Sequence, residues 1–213
     1  NTNSYFSTKS KFSYFHYSSA FNDGTKITEG QLITIQGQGT HQWKNCEFKF
    51  CGQYTVENQQ KESGDPSTVA ISGTATCIFT NLTFINDEAD NPRPGLLTSI
   101  RGVSISEEAT VTWTDGKMKG LNTFSTSPRG GGAIFINSSN QVTLTSIDFV
   151  DCKDKSNNKR NAMYVASKVQ DLTIKNCTFL DCFNPDLDDK EQNAVYIEGT
   201  NIQLLENTIN FTD

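Results

Sequence analysis

The apolar positions of this chain recur in short runs at a fixed distance. The run Val-Thr-Leu-Thr-Ser-Ile-Asp-Phe-Val-Asp-Cys at 142–152 aligns without a gap with Leu-Thr-Ile-Lys-Asn-Cys-Thr-Phe-Leu-Asp-Cys at 172–182, thirty residues further on. A third copy begins after another thirty residues, at 202–211. Self-similarity at such a period is typical of repeat proteins, in which each unit buries its apolar face only against its neighbours.

One large apolar residue in each unit, which we call the anchor, shows that the same repeat continues further upstream. The anchors are Phe48, Phe84, Met118, Phe149, Phe179 and Ile209, with spacings of 36, 34, 31, 30 and 30 residues. A second strip repeats in phase with them, most clearly at 133–136, 162–165 and 194–197, and more loosely at 32–35, 69–71 and 96–97. We expect the six anchors to form a ladder of interior side chains.

Within the runs, apolar and polar residues alternate. Val142 and Leu144 are predicted to point inward and Thr143 and Thr145 outward, which is the period of a β-strand. No unit has room for a ten-residue helix besides its three short runs. Parallel crossover connections are right-handed almost without exception. The pattern therefore predicts an all-β fold: a right-handed parallel β-helix, or solenoid, of six or seven coils with about thirty residues each.

The two ends depart from this pattern. Aromatic residues crowd the first 24 positions, which predicts an irregular N-terminal coil or cap at 1–24 before the β-helix at 25–213; a surface for a sugar or a protein is the alternative. No charged or Pro-rich segment follows Phe211 to cap the last coil. We expect either a fragment of a longer chain that continues into further coils, or end-to-end self-association through the C-terminal coil.

The balance of charge excludes one class of partner. The chain has 18 basic and 24 acidic residues, a net charge of −6, and no cluster of Lys and Arg. This composition argues against a nucleic-acid binder. No apolar run reaches about eighteen residues, so no membrane span is expected within the chain.

The cysteines and some of the asparagines bear on the cellular compartment in which the protein is expected. The six cysteines, at 46, 51, 77, 152, 177 and 182, include no Cys-x-x-Cys pair, and the chain has only two histidines, so no metal site or cofactor is expected. Cys152 and Cys182 share one coil position, which makes them a disulfide candidate because neighbouring strands lie ~4.8 Å apart. The glycosylation candidates are Asn81, Asn137, Asn176 and Asn210. Together these features favour an extracellular or cell-surface protein.

A carbohydrate-active enzyme is the natural rival, since many β-helices are polysaccharide lyases or hydrolases. Such a site needs carboxylates clustered on adjacent coils. Asp151 and Asp181 stack in this way, with Asp148 near them, but aspartate is also a common turn former. The acidic loop at 186–191 lacks the spacing of a calcium loop. We therefore assign no catalytic and no metal-binding residue, and we expect no enzyme.

A row of threonines suggests a third class, which binds ice or a crystal face. The outward positions of the middle strand include Thr110, Thr112, Thr114, Thr143, Thr145 and Thr173. Lys175, Gln203 and Leu205 interrupt this row. Because threonine is frequent in strands, ordinary strand threonine is the preferred interpretation.

The segment Gly131-Gly132-Ala133-Ile134 resembles the Gly-Gly-Ala-Ile/Leu/Val motif of polymorphic membrane protein repeats, found in chlamydial autotransporter adhesins and in surface proteins of protists such as trichomonads. The companion motif of that family is Phe-x-x-Asn. Here Cys152 and Cys182 stand where that Asn would be, and Asn161 and Asn193 precede the alanine in the later coils. The resemblance covers residues 130–213 well and 30–130 loosely. It implies a β-helical passenger or ectodomain displayed on a surface, with adhesion as the usual role.

These observations lead to one functional expectation. We expect a non-catalytic β-helix, secreted or displayed on a surface, that binds a protein or glycan ligand on another surface. The alternatives are a polysaccharide lyase or glycoside hydrolase, and a structural filament subunit.

Overall fold

The structure is a computed structural model that describes residues 4–6, 11–13, 16–18, 31–54, 67–86, 97–99, 101–123, 130–154, 160–183 and 192–210. These residues contain strands and turns and no helix. The strands are β1 (Ser4–Phe6), β2 (Lys11–Ser13), β3 (His16–Ser18), β4 (Gln31–Ile35), β5 (Gln38–Lys44), β6 (Glu47–Lys49), β7 (Gly52–Tyr54), β8 (Ser67–Ile71), β9 (Thr74–Ile85), β10 (Leu97–Ser99), β11 (Arg101–Glu107), β12 (Thr110–Lys119), β13 (Asn122–Thr123), β14 (Ile134–Ser138), β15 (Val142–Val150), β16 (Lys153–Asp154), β17 (Arg160–Val165), β18 (Leu172–Lys175), β19 (Thr178–Leu180), β20 (Asn193–Ile197), β21 (Ile202–Leu205) and β22 (Thr208–Asn210).

Parallel strands stack into a β-solenoid. The main path of an eleven-stranded sheet runs β1-β5-β9-β12-β15-β18-β21, and a six-stranded sheet runs β4-β8-β11-β14-β17-β20. The solenoid comprises about four turns, with successive turns about 31 residues apart. A two-stranded sheet (β13-β16) and a three-stranded sheet (β10-β7-β3) complete the described strands. The pairing of β10 with β7 is antiparallel, unlike the other strand pairs.

The strand register places the six anchors at equivalent positions of successive coils. Phe84 pairs with Phe48 on one side and with Met118 on the other, and Phe149 pairs with Met118 and with Phe179. The column ends with Ile209, which pairs with Phe179. The first five are buried, but 53% of Ile209 is exposed, so our prediction of an interior side chain is wrong at this residue. The reason is that the only strand partner of β22 among the described residues is β19.

Alternation of inward and outward side chains explains the core. Along β15, Val142, Leu144, Ile147 and Phe149 are fully buried, while the side chains between them are partly or fully exposed. Inward aromatic residues stack from coil to coil: the ring centroids of Phe48 and Phe84 are 4.6 Å apart, with planes 8° from parallel. Each buried side chain of this size contributes roughly 1.5–3 kcal/mol, so the core stabilises every coil through its neighbours.

Stacked left-handed residues form the corners of the solenoid. One corner contains a column of residues with φ between 51° and 56°, namely Asn45, Asn81, Asp115, Ser146, Asn176 and Glu206. Asn and Asp tolerate this conformation better than other side chains, which explains their frequency there. The amide Nδ2 of Asn81 donates a hydrogen bond to Oδ1 of Asn45 at 2.8 Å, so side chains also connect neighbouring turns at this corner.

The described end of the solenoid exposes residues that are buried elsewhere. Leu204 pairs with the buried Ile174, yet 56% of its own surface is exposed. Near the other end, β1, β2 and β3 pair in parallel with β5, β6 and β7. The predicted boundary at residue 24 lies outside the described residues.

Candidate functional site

The outward surface of β9, β12 and β15 carries a regular array that we call the threonine face. Its nine positions are Thr76, Ile78 and Thr80 on β9, Thr110, Thr112 and Thr114 on β12, and Gln141, Thr143 and Thr145 on or beside β15. The register aligns them in columns: Thr112 pairs with Ile78 and Thr143, and Thr114 pairs with Thr80 and Thr145. The face therefore holds seven threonines in three adjacent strands and no charged residue.

The side chains of the threonine face lie on the solvent side. Thr112, at the centre, is exposed, and 40% of Ile78 is exposed beside it. The neighbouring inward residues Cys77, Val111 and Trp113 are fully buried. Equivalent atoms repeat at ~4.8 Å across the strands and at ~6.7 Å between alternate residues of one strand. The sequence predicted these threonines on an outward row; the structure adds Thr76 and Thr80 to them.

Charged residues lie at several positions along the edge of the threonine face. Lys44 and Lys175 occupy the outer positions of β5 and β18 that align with Thr80 and Thr145. Glu108 precedes β12, and Asp115 follows Thr114 at the corner. The uncharged surface continues beyond the nine positions on both sides. Thr40 and Gln42 on β5 align with Thr76 and Ile78, and Thr173 on β18 aligns with Thr143.

Asp151 and Asp181, the stacked carboxylates of the sequence, are turn residues. Their φ values are 52° and 53°, and each backbone N–H donates to a carbonyl of the next coil. Asp151 also forms an ion pair with Lys153, at 2.7 Å between Oδ1 and Nζ. Asp148 is exposed on the outer face of β15. These contacts favour the turn-former interpretation, because the backbone conformation alone accounts for aspartate at both positions.

Cys152 and Cys182 are neighbours, but our expectation of a disulfide between them is wrong: both are buried free thiols, as are Cys46, Cys51, Cys77 and Cys177. The residue pair two positions earlier, Val150 and Leu180, is in direct register. The carbonyl oxygen two residues before each thiol lies 3.5 Å from its Sγ atom and is one acceptor within reach of the thiol proton. For Cys152 the carbonyl oxygen of Met118 lies closer, at 3.4 Å. The Cα–Cβ bonds of equivalent residues in adjacent parallel strands run side by side, so their Cβ atoms lie about as far apart as the strands, ~4.8 Å. This is beyond the ~3.5–4.5 Å between Cβ atoms that a disulfide needs.

Three of the thiols are held in their protonated form by their surroundings. Burial and the hydrogen bond with Cys182 raise the pKa of Cys152 well above its usual range. Burial also raises the pKa of Cys177, and that of Cys77 to about 12. Because the thiolate is the nucleophile and the metal ligand, these cysteines act as small apolar residues of the core.

The Gly-Gly-Ala segment lies where two coils approach too closely for a side chain. Gly131 has a φ of 73°, and a Cβ atom there would lie 2.5 Å from the carbonyl oxygen of Ile134. A Cβ atom on Gly132 would overlap the carbonyl oxygen of Lys153. Both glycines are therefore required by backbone packing, and the motif is explained without a role in ligand binding.

A buried arginine holds this segment in place. Arg101 is fully buried, its Nε donates to the carbonyl of Gly131 at 2.8 Å, and its Nη2 donates to the carbonyl of Gly130. The guanidinium also lies 5.4 Å from the ring centre of Phe135. The sequence gives no signal for this role, because no repeat or motif marks Arg101.

A second buried polar group was also missed. The carboxylate of Asp154, which is fully buried, accepts a hydrogen bond from Thr123 at 2.7 Å. The backbone N–H of Asp154 donates to Oδ1 of Asn161 at 3.1 Å, and Nδ2 of Asn161 donates to Oε1 of Gln192 at 3.1 Å. These bonds connect three successive coils beside the Gly-Gly-Ala segment, so their role is to fix the corner.

The four glycosylation candidates differ in their surroundings. Asn81 and Asn176 are exposed at the left-handed corner, followed by a buried residue and then an outward threonine. The corner itself favours this order of residue types, so both triplets have a structural explanation. Asn137 is partly buried within β14, and Asn210 is exposed at the end of β22.

Some predicted features lie outside the described residues, namely the acidic loop at 186–191 and Phe211. Among the residues that the structure does describe, no group of three or more His, Cys, Asp or Glu side chains could hold a metal ion. The same residues include no helix of the length and apolarity needed to cross a membrane.

The parallel stacking of its strands defines this protein as an all-β parallel β-solenoid. No protein-family model, no curated protein and no solved structure matches the chain.

Proposed function

We propose that this chain is a non-catalytic binding protein, secreted or displayed on a surface, that adheres to a protein or glycan ligand through its threonine face. The observation that carries the proposal is the face itself: nine aligned outward positions without a charge, with charged residues at several positions along its edge. Charges cost free energy to desolvate, and an uncharged patch avoids that cost when it meets a partner. The resemblance of Gly131-Gly132-Ala133-Ile134 to surface adhesin repeats supports the same role.

The proposal includes the shape of the whole chain. We propose a right-handed parallel β-helix of six or seven coils, which is more than the about four turns of the stack described above. The seven strands on the main path of the large sheet support this number, and the strong preference of parallel crossovers supports the hand. Membership of the polymorphic membrane protein family, an extracellular location and glycosylation at the four candidate asparagines belong to the same proposal.

Binding is tested with the labelled chain on fixed epithelial cells, on a glycan array and on immobilised extracellular-matrix proteins. The informative variant is Thr112→Lys, which places a charge at the centre of the threonine face. Gln203→Lys is the matched control, because Gln203 follows in the same column beyond Thr143 and Thr173. We expect saturable binding that Thr112→Lys abolishes and Gln203→Lys preserves. Failure to bind any of these surfaces, or equal binding by both variants, would contradict the proposal.

A second proposal concerns assembly through the C-terminal coil, the alternative to a chain that continues into further coils. Leu204 and Ile209 are 56% and 53% exposed on strands whose only partners among the described residues are β18 and β19. An edge with unpaired backbone groups and exposed apolar side chains is prone to pair with another chain. We expect a concentration-dependent rise in sedimentation coefficient that Ile209→Lys abolishes. A monomer at all concentrations would contradict end-to-end association.

A further inference from the structure

We infer that the threonine face also binds an ordered lattice of water, that is, an ice surface. This inference goes beyond the proposed function, because it uses the same face but assigns it a ligand that is neither a protein nor a glycan. It starts from the chemistry: seven of the nine positions each present one hydroxyl and one methyl group, and the other two are Ile78 and Gln141. A partner matched to this surface carries no charge and offers donors and acceptors at regular intervals.

The face is rigid enough to act as a template. Its middle strand, β12, is paired along its length with β9 on one side and with β15 on the other. Threonine is branched at Cβ, which restricts its χ1 angle. Beneath the face, the inward side chains Val111 and Trp113 are fully buried in the core. Little conformational entropy is therefore lost when the side chains order against a ligand.

The spacing of the array fits a water lattice along the solenoid axis. In a tetrahedral network with O–H···O distances of ~2.75 Å, next-nearest oxygens lie ~4.5 Å apart. Equivalent threonine atoms on neighbouring strands repeat at ~4.8 Å. The difference of ~0.3 Å per strand accumulates to only ~0.6 Å across the three strands of the face, which small adjustments of the hydrogen bonds can absorb.

Ile78 is the second observation that points to a ligand. Its side chain is 40% exposed inside the array, although the other large exposed apolar residues of the described chain, Leu204, Leu205 and Ile209, lie at the far end of the solenoid. When the face contacts ice, the threonine methyl groups and Ile78 lie against an ordered layer of water. Their apolar surface is then no longer exposed to liquid water.

The test uses the full chain, with Thr112→Lys and Gln203→Lys as above. Far-UV circular dichroism and the thermal midpoint first establish that the variants fold. Each protein is then partitioned into slowly growing ice, its inhibition of ice recrystallisation is measured, and the cell and glycan assays run in parallel. We expect the unmodified chain and Gln203→Lys to enter the ice, and Thr112→Lys to enter it about tenfold less, since a charge at the contact must be desolvated.

The outcomes separate this inference from the proposed function. Exclusion of all three proteins from ice overturns the inference, as does equal incorporation of both variants. If ice binding fails while Thr112→Lys still abolishes adhesion to cells or glycans, the proposed function stands without it. If neither ice nor any other surface binds the chain, both are overturned.

Discussion

The rings of Phe149 and Phe179 stack face to face in adjacent coils, with centroids 4.7 Å apart and planes 3° from parallel. The two residues are thirty positions apart in the sequence and directly paired in the strand register. Both are buried at 2% exposure or less. This pair shows how each coil of the solenoid is stabilised by the next.

Replacing Phe179 by alanine tests the ladder. The Phe179→Ala variant leaves a cavity between two coils, so we expect a loss of about 3–5 kcal/mol in the free energy of unfolding. Ile209→Ala is the control in the same column, and we expect about 0.5 kcal/mol or less because Ile209 is largely exposed. Denaturant titration measures both. A loss below about 0.5 kcal/mol for Phe179→Ala would mean that the register is wrong.

The Gly-Gly-Ala segment allows a second test of packing. In Gly132→Ala, the new Cβ would meet the backbone carbonyl of Lys153, which cannot move without separating two coils. We expect a loss of about 3 kcal/mol, the upper part of the range for overpacking. Gly37→Ala is the control: nothing lies within 4 Å of its Cβ position, and only its φ of 91° is unfavourable. Its expected cost is about 1 kcal/mol. Equal losses would show that the close approach at Gly132 is absent.

The thiols provide a chemical prediction. Because all six described cysteines are buried and free, Ellman's reagent should react slowly with the folded chain. In guanidinium chloride without reductant, all six should react quickly, because the unfolded thiols recover a pKa near ~8.5. Only four reactive thiols after unfolding would indicate a disulfide and contradict the free pair at Cys152 and Cys182.

His41 makes the stability depend on pH. It occupies the inward column of Cys77 and Val111, is only 7% exposed, and burial lowers its pKa. As the pH falls below the unfolded pKa of ~6.5, the unfolded chain binds a proton that the folded chain does not bind, so stability falls. We expect His41→Gln to remove this part of the decline between about pH 6.5 and 5. Equal slopes for the two proteins in denaturant titrations over that range would refute the assignment.

The sequence predicted the parts of the fold that depend on a repeated local pattern. Phe48, Phe84 and Met118 align although their spacings are unequal, because the inward side-chain period is set by the strands and insertions fall in the connections. The exposure of Ile209 was not predictable in this way, since the burial of one coil depends on the coil beyond it. The prediction of a disulfide was wrong for a geometric reason. Equal coil positions bring the Cα atoms close but leave the two Cα–Cβ vectors parallel, so the Cβ atoms do not approach each other.

The candidate site was predictable only in part. Alternation placed Thr112 and Thr143 outward, but the sequence could not show that Thr76 and Thr80 extend the array, because the repeat is looser in that coil. The buried Arg101 and Asp154 carry no repeat signal at all. Their partners are backbone carbonyls and side chains at corners, where the conformation is set by tertiary packing and not by a local period.

The central claim is that threonines of adjacent coils form one in-register face, and a cross-linking measurement tests it most directly. Thr112 and Thr143 are paired on neighbouring strands, whereas Thr173 lies one strand further along the same column. The two distances differ by about a factor of two, at ~4.8 Å and ~9.6 Å. We propose to treat two double variants, Thr112→Cys with Thr143→Cys and Thr112→Cys with Thr173→Cys, with dibromobimane, which becomes fluorescent when it bridges adjacent thiols. The native thiols are buried, and peptide mapping identifies the linked residues. The account predicts a fluorescent link between positions 112 and 143 and none between 112 and 173; a link of equal yield in both, or only between 112 and 173, would contradict it.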